Sequence, residues 1–267
     1  MSRKLSTRKR PDRDDYMLKE QLKIEEGIFD GRTIMMIGKL FTRNIISRLN
    51  YIIARGKEAD VYMAEPGARM ENVPIIVKIF RLETSSFARR VDYINGDPRF
   101  KGIKNNLRAI VYTWCKKEYG NLKLAEEAGI HAPRPYSFIG NVLAMEFIGD
   151  GTLPSPILKS VRVEEPRVVF REIIKDMRKL YQSELVHGDI SEYNILIKGG
   201  VPYMIDFGQA VALGHPKAAE MLRRDITNLL TYFNKKYGIE DDEDGLFEYI
   251  TGRKADSATW EHHSLSP

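Results

Sequence analysis

Residues 187–208 read HGDISEYNILIKGGVPYMIDFG, and this stretch decides the predicted fold. Its two short apolar runs flank a Gly-Gly pair, a pattern typical of a β-hairpin with a two-residue turn. With that turn, Asn194 lies opposite Ile205 and therefore next to Asp206. The hairpin brings an amide oxygen and a carboxylate to one end, and these are ligands that Mg²⁺ takes together with phosphates.

Asp189 lies just upstream of Asn194 in the same polar stretch. A carboxylate at this place could accept a proton from a substrate hydroxyl. The competing interpretation is that both residues only form turns, as Asp and Asn often do. Three oxygen-bearing side chains beside two apolar strands favour the catalytic interpretation.

Lys78 interrupts an otherwise apolar strand, PIIVKIF, and must find a partner or reach solvent. A helix predicted over 108–128 offers that partner. Its apolar stripe consists of Val111, Trp114, Cys115, Leu122 and Ala125. Steps of three and four residues place Glu118 in the middle of the stripe. We predict a Lys78–Glu118 ion pair that holds the lysine for a phosphate, with Glu126 as the alternative partner.

The segment ARGKEADVY at 54–62 falls on a predicted β-hairpin just before the lysine strand. Compared with the kinase pattern G-x-G-x-x-G-x-V, it keeps only the middle glycine, Gly56. Its position is more informative, because a loop there could cover phosphates. Loop, strand lysine, helix glutamate, H-x-D-x-x-x-x-N and D-F-G then follow one another in the order of the protein-kinase constellation.

Strands dominate the first half of the chain and helices the second, which predicts two lobes with a cleft between them. After IDFGQ there is no A-P-E motif, and a predicted helix starts near residue 215. The predicted fold class is therefore α+β: a two-lobed, protein-kinase-like fold with a β-rich N-terminal lobe and a helical C-terminal lobe. It lacks an activation segment and peptide-binding subdomains.

Over about residues 30–250, the chain resembles the RIO family of atypical serine/threonine kinases, and its Rio-one subfamily more than the second. The features that carry the resemblance are RGKEADVY, SEYNIL after HGD, and Gln209 after the D-F-G motif. One departure is Ala54-Arg55, where the family usually has Ser-Thr. This chain therefore lacks a hydroxyl that could touch a phosphate in the loop, while Arg55 adds positive charge nearby.

The resemblance implies ATP and Mg²⁺ as cofactors, with Mn²⁺ able to substitute. Asp189 would be the catalytic aspartate, Asn194 and Asp206 the metal ligands, and Asp206 would also hold a phosphate in an ATP-hydrolysis switch. The implied ATP-binding residues are Gly56, Lys57, Lys78, Glu118, Met145, Glu146 and Ile148. Asp225 would brace the catalytic loop, and Ser85 and Ser86 are candidate autophosphorylation sites.

The family acts in small ribosomal subunit maturation, so pre-ribosomal RNA and protein are the expected partners. Basic segments at 1–13 and 81–108 then favour an RNA-facing surface over a merely solvated one. Two alternatives remain: a small-molecule phosphotransferase of the aminoglycoside type, and a slow nucleotide-switch scaffold on pre-ribosomal RNA. The sequence leaves the oligomeric state open.

The chain has 267 residues and a net charge of +5. A single cysteine excludes an internal disulfide and fits the cytoplasm, and the absence of long apolar runs predicts no membrane partner. Residues 83–106 show little periodicity, so we expect little regular structure there. The predicted domains are a disordered basic tail at 1–13, a helical extension at 14–49, a kinase domain at 50–252 with lobes 50–149 and 150–252, and a flexible tail at 253–267.

Overall fold

The computed structural model of the chain describes residues 29–70, 73–82, 87–100 and 106–252. Several predictions concern parts of the chain outside these ranges: the tails at 1–13 and 253–267, the helix over 14–27, and Ser85 and Ser86. Within the described ranges, no helix is both long enough and apolar enough to cross a membrane.

An antiparallel five-stranded sheet forms the N-terminal lobe, in the order β1-β2-β3-β5-β4. The strands are β1 (Ile46–Arg55), β2 (Ala59–Pro66), β3 (Ile75–Phe80), β4 (Pro135–Ile139) and β5 (Val142–Glu146). The turn between β1 and β2 holds Gly56 and Lys57, as the hairpin pattern predicts. The lysine strand, β3, is paired on both sides, by β2 and by β5.

Side chains of β3 alternate between two hydrophobic cores, because successive residues of a strand point to opposite faces. Ile75, Val77 and Ile79 join the core under α1 (Gly31–Thr42). Ile76 and Phe80 join the larger core, which includes helix α3 (Leu107–Glu127). The same alternation sends Lys78, which lies between Ile76 and Phe80, toward α3.

The sheet begins earlier in the chain than the predicted kinase domain. We expected a short helix and a turn over 31–49 and a domain start at residue 50. Helix α1 is present, and its N-cap Asp30 accepts hydrogen bonds from the backbone N–H of Arg32 and Thr33 at 2.9 and 3.1 Å. However, β1 starts at Ile46, because Ile46 and Leu49 are buried in the same core as α1.

The expectation of little regular structure over 83–106 is wrong for part of that stretch. Residues Phe87–Asn95 form helix α2. Ile94 is buried in the large core, and Arg90, one turn earlier, is buried as well. A buried arginine removes the apolar periodicity by which a helix is recognised, which explains why the sequence pattern missed α2.

The C-terminal lobe is mainly helical, with α4 (Pro166–Gln182), α5 (Ala218–Tyr237) and α6 (Glu243–Thr251). Short strands pair as β6 (Gly149–Asp150) with β7 (Leu153–Pro154), β8 (Leu185–Val186) with β11 (Val211–Ala212), and β9 (Ile195–Lys198) with β10 (Val201–Met204). Because α5 starts at Ala218, little chain separates it from the D-F-G motif. The five-stranded sheet of the N-terminal lobe and the helices of the C-terminal lobe confirm the predicted two-lobed α+β fold.

Candidate active site

The β9–β10 hairpin builds the end of the ribbon that the sequence predicts. Ile195 pairs with Met204, and the N–H of Ile205 donates to the carbonyl of Asn194 at 3.0 Å. Both turn glycines have positive φ, which the tight two-residue turn requires. Directly after Ile205, Asp206 has a φ of 64°, a backbone conformation that is strained for a residue with a side chain.

Lys78 lies among three oxygens of two carboxylates. Its Nζ is 2.8 and 2.9 Å from the two oxygens of Glu118 and 3.0 Å from Oδ1 of Asp206. The predicted ion pair with Glu118 is therefore present. The alternative partner, Glu126, instead pairs with Lys123 and Arg134 at the surface.

The three groups differ in exposure and in charge balance. The side chains of Lys78 and Glu118 are 10% and 1% exposed, whereas that of Asp206 is 49% exposed. Burial alone would lower the pKa of Lys78, but the two carboxylates outweigh it and raise that pKa. Burial likewise opposes the charge of Asp206, but Lys78 outweighs it and lowers the pKa of Asp206. Lys78 is therefore a firmly charged ammonium group at the edge of the cleft.

Asp189 is held by two amide groups. Its Oδ2 accepts hydrogen bonds from Nδ2 of Asn194 at 3.0 Å and from Nε2 of Gln209 at 2.9 Å. Burial, together with the negative charge of Asp206, raises the pKa of Asp189 to about 6. Asp189 is thus ionised at neutral pH yet more basic than an exposed aspartate, as suits a group that accepts a proton.

Asp225 of α5 braces the loop that carries Asp189, as predicted. Its two carboxylate oxygens accept the backbone N–H groups of Gly188 and Ile190 at 2.7 and 2.9 Å. Burial raises the pKa of Asp225 to about 7, against the effect of these two hydrogen bonds. The neighbouring Arg224 donates to the carbonyl of Gly188. Helix α5 therefore fixes the backbone on both sides of Asp189.

His187 packs against Phe207 and forms a hydrogen bond. Its ring centroid lies 4.7 Å from that of Phe207, and Nε2 is 3.2 Å from the carbonyl oxygen of Ile205. Burial lowers the pKa of His187 to about 4, so the ring is neutral at physiological pH. Because the His187 ring is neutral and packs against Phe207 of the D-F-G motif, its role is structural.

Sequence reasoning missed two polar residues of α3 that hold the backbone of the D-F-G loop. Lys117 donates to the carbonyls of Gly208 and Ala210, and Asn121 donates to those of Phe207 and Ala210 at 2.8 Å. Both residues are fully buried. Like Glu118, Lys117 and Asn121 are polar residues that interrupt the apolar stripe of α3. That interruption is the signal in the sequence by which they could have been found.

A cleft of about 540 Å³ opens between the sheet and the β9–β10 hairpin. Predicted nucleotide-site residues in its wall are Gly56, Lys57, Lys78, Met145, Glu146, Ile148, Asn194 and Asp206. Apolar side chains of both lobes complete the wall, among them Val61, Ile76, Leu196 and Ile205. Glu118 and Asp189 are not in the wall, but they contact residues that are. A mostly apolar slot that ends at charged groups suits a nucleotide.

The donor set at the hairpin fits Mg²⁺. Nδ2 of Asn194 is engaged by Asp189, so its Oδ1 is the atom left for a cation. Asp206 supplies an ionised, half-exposed carboxylate. One carboxylate and one amide oxygen are a partial set that Mg²⁺ completes with water and phosphate. Among the described residues, no group of three or more His, Cys, Asp or Glu side chains is placed to hold a metal ion.

The predicted RNA-facing segment at 81–108 is partly occupied by internal ion pairs. Arg81 pairs with Asp60 at 2.7 Å and Arg99 with Asp97 at 2.6 Å. Arg90 is buried against Glu58. Arg90 therefore serves the fold, whereas the side chains of Arg81 and Arg99 remain 45% and 29% exposed beside their acidic partners.

The RIO domain family model matches residues 60–246, more than half of the chain. The chain belongs to the RIO family. Its RIO-family relatives include the RIO-type serine/threonine-protein kinase Rio1 of Haloferax volcanii, 38% identical over 253 residues that cover 93% of this chain and 86% of the relative. The Rio1 kinase of Methanocaldococcus jannaschii is 39% identical, covering 89% of this chain and 80% of the relative. The human serine/threonine-protein kinase RIO1 is 38% identical over 85% of this chain, but only 40% of that protein is covered.

Two crystal structures of the Rio2 kinase from Chaetomium thermophilum share the fold. Their TM-scores are 0.62 and 0.64 at 19% identity, covering 83% and 86% of this chain and 67% and 72% of theirs. The first is a complex with ADP/Mg²⁺-phosphoaspartate. Membership of the RIO family decides against the aminoglycoside-type alternative, because the similarity to RIO kinases extends over most of the chain.

Proposed function

We propose that this chain is an ATP- and Mg²⁺-dependent serine/threonine protein kinase that transfers a phosphoryl group in line. One observation carries the proposal: at a single cleft, Lys78 is clamped by Glu118 and Asp206, and Asn194 contacts Asp189. The RIO-type relatives, which are named serine/threonine-protein kinases, support it.

Lys78 orients the phosphates of ATP, because it is a fixed positive charge at the edge of the cleft. Glu118 keeps its ammonium group in place. Asn194 and Asp206 are the residues that hold Mg²⁺, which when bound neutralises charge on the phosphates. Phosphoryl transfer depends mainly on such positioning and charge stabilisation.

Asp189 orients the acceptor hydroxyl and accepts its proton as the hydroxyl oxygen forms a bond to the γ-phosphorus of ATP, while the bond from that phosphorus to the β–γ bridging oxygen breaks and ADP leaves. The adenine ring lies in the apolar part of the cleft. The N–H of Glu146 donates to the carbonyl of Arg134, and the carbonyl of Ile148 accepts from Ser155. We therefore assign the carbonyl of Glu146 and the N–H of Ile148 to the adenine edge.

Asp189→Ala tests this function. We expect phosphoryl transfer to fall by a factor on the order of 10² or more, as for loss of a general base, while ATP affinity changes less than threefold. Turnover and ATP binding are measured side by side on the same preparation. Asp150→Ala, an exposed aspartate of β6, is the matched control and keeps full turnover. Full activity in Asp189→Ala would refute the assignment.

We further propose ATP hydrolysis as a release switch, with the phosphate held on Asp206, in cytoplasmic maturation of the small ribosomal subunit. The family resemblance and the phosphoaspartate complex of a Rio2 kinase support this step. Asp189→Ala used as bait should recover small-subunit precursors, with Asp150→Ala as the control bait. Recovery of only unrelated proteins would contradict the ribosomal role and leave the kinase activity standing. Mn²⁺ should replace Mg²⁺ in turnover.

A further inference from the structure

Helix α2 contacts the phosphate loop and the segment after the D-F-G motif at the same time. Arg90 on α2 pairs with Glu58, which follows Gly56 and Lys57 in the turn between β1 and β2. Tyr93, less than one turn further, donates to the side chain of Gln209. The sequence predicted no structure here, and the proposed function assigns no role to this helix.

Tyr93, Gln209 and Asp189 form a continuous chain of hydrogen bonds. The hydroxyl of Tyr93 is 2.7 Å from Oε1 of Gln209, and Nε2 of Gln209 is 2.9 Å from Oδ2 of Asp189. The residues come from three parts of the chain: α2, the segment after D-F-G, and the catalytic loop. Each bond has the length of a well-formed hydrogen bond.

The chemistry of the groups fixes the direction of this chain. An ionised carboxylate can only accept, so Gln209 must turn its amide nitrogen toward Asp189 and its oxygen toward Tyr93. The Tyr93 hydroxyl must then donate. Burial disfavours the charge of Arg224, but the nearby Tyr93 helps to raise the pKa of Arg224 above its ordinary value.

These hydrogen bonds determine which oxygen of Asp189 faces the substrate. Oδ2 accepts from both Asn194 and Gln209. Among the described residues, Oδ1 has no hydrogen-bond donor, so it is the oxygen left for the acceptor hydroxyl. Without Gln209, only Asn194 would restrain rotation of the carboxylate.

Arg90 holds α2 in the position that allows Tyr93 to reach Gln209. Its side chain is 1% exposed, lies 3.2 Å from Oε2 of Glu58, and stacks over the Trp114 ring at 5.6 Å. Such a buried, paired arginine ties the helix to the loop that covers the phosphates. The position of Tyr93 therefore depends on the position of the phosphate loop.

We propose that Tyr93 and Gln209 are positioning residues that orient Asp189 for proton acceptance. Through them the position of α2 sets the orientation of the Asp189 carboxylate. This inference rests on the proposed kinase function. It adds that loop closure over the nucleotide and orientation of the catalytic carboxylate are linked through one helix.

A double-mutant cycle of Tyr93→Phe and Gln209→Ala tests the inference, because it measures whether one residue acts through the other. With Mg²⁺-ATP and ADP formation as the readout, we expect Tyr93→Phe to lower kcat about tenfold, the effect of one lost hydrogen bond of about 1.4 kcal/mol. Gln209→Ala lowers kcat further. The double variant matches Gln209→Ala alone, and the KM for ATP stays within twofold in all three. Tyr112→Phe on α3, which loses the same atom, is the control and keeps wild-type kcat.

Additive effects in the double variant would overturn the inference, as would a Tyr93→Phe variant with wild-type kcat. A merely structural role would lower the melting temperature and change kcat and KM together. Failure of the proposed function is recognised separately: the wild-type protein would then form no ADP above the level of Asp189→Ala. Normal wild-type turnover with an unaffected Tyr93→Phe variant refutes only the role of Tyr93 and Gln209.

Discussion

Glu118 and Asp225 are both completely buried carboxylates, yet they are satisfied in different ways. Glu118, in the N-terminal lobe, faces the ammonium group of a lysine side chain. Asp225, in the C-terminal lobe, faces two backbone N–H groups. The first pairing places a charge where ATP would bind, and the second fixes the shape of a loop.

The two carboxylates differ in which partner groups lose their hydrogen bonds when the residue is removed. Lys78 retains Asp206 as a second partner at 3.0 Å, so loss of Glu118 leaves no buried charge alone. Among the described residues, the N–H groups of Gly188 and Ile190 have no side-chain acceptor other than Asp225, so both donors lose their partner when Asp225 is lost. The comparison predicts a large stability effect in the C-terminal lobe and a mainly catalytic effect in the N-terminal lobe.

Asp225→Ala should produce the largest loss of stability. Two hydrogen bonds to an ionisable group are lost and two buried donors remain, so the free energy of unfolding should fall by about 4 kcal/mol. Urea denaturation measures it. Glu220→Ala, an exposed glutamate of the same helix, is the control and should stay within about 0.5 kcal/mol. A change below about 1 kcal/mol in Asp225→Ala would show that the brace does not stabilise the loop.

His187 is a third buried ionisable group, and its partner is a backbone carbonyl, that of Ile205. Its pKa is about 4 in the folded protein, below the ordinary value of 6.5, because burial disfavours the charged ring. Between these values the unfolded chain binds more protons, so stability is lost as pH falls from 6.5 to 4. The loss is on the order of 3 kcal/mol.

His187→Gln keeps a hydrogen-bond donor but cannot titrate in this range. Its free energy of unfolding should therefore fall less steeply over this pH window than that of the wild-type protein. The measurement is a series of denaturant titrations from pH 7 to pH 4.5. Parallel pH profiles for the two proteins would contradict the burial of a neutral ring at this site.

Glu118→Gln should have the smallest effect on stability and a clear effect on turnover. Asp206 still balances Lys78, so the expected loss is about 1–2 kcal/mol, below the usual cost of breaking a buried pair. Turnover should fall about tenfold, since the lysine loses one of its two restraints. Glu126→Gln, the alternative partner of the sequence analysis, is the control and leaves both quantities nearly unchanged. Equal effects of the two variants would remove the special role of Glu118.

Much of the geometry of the candidate site could be predicted because its residues occur in regular elements. The Gly-Gly turn fixes the register that places Asn194 beside Asp206, and the helical steps of α3 place Glu118 on the core face. Both inferences require only the repeat of a strand or a helix.

Helix α2 and its contacts could not be predicted in this way. Arg90 and Tyr93 are polar residues whose partners lie far away in the sequence, Glu58 and Gln209. No local period indicates such long-range pairs. The start of β1 at Ile46 was missed for a related reason, since its pairing with β2 and the packing of α1 determine it.

The proposed function requires that one cleft bind ATP together with a metal held by Asn194 and Asp206. Calorimetric titration with ATP, in Mg²⁺ and in EDTA, tests it most directly on the wild-type protein, Asp206→Asn and the control Asp150→Asn. We predict that Mg²⁺ tightens binding about tenfold or more in the wild-type and control proteins and has little effect in Asp206→Asn. Equal gains from Mg²⁺ in all three proteins, or no gain in the wild-type protein, would contradict the account.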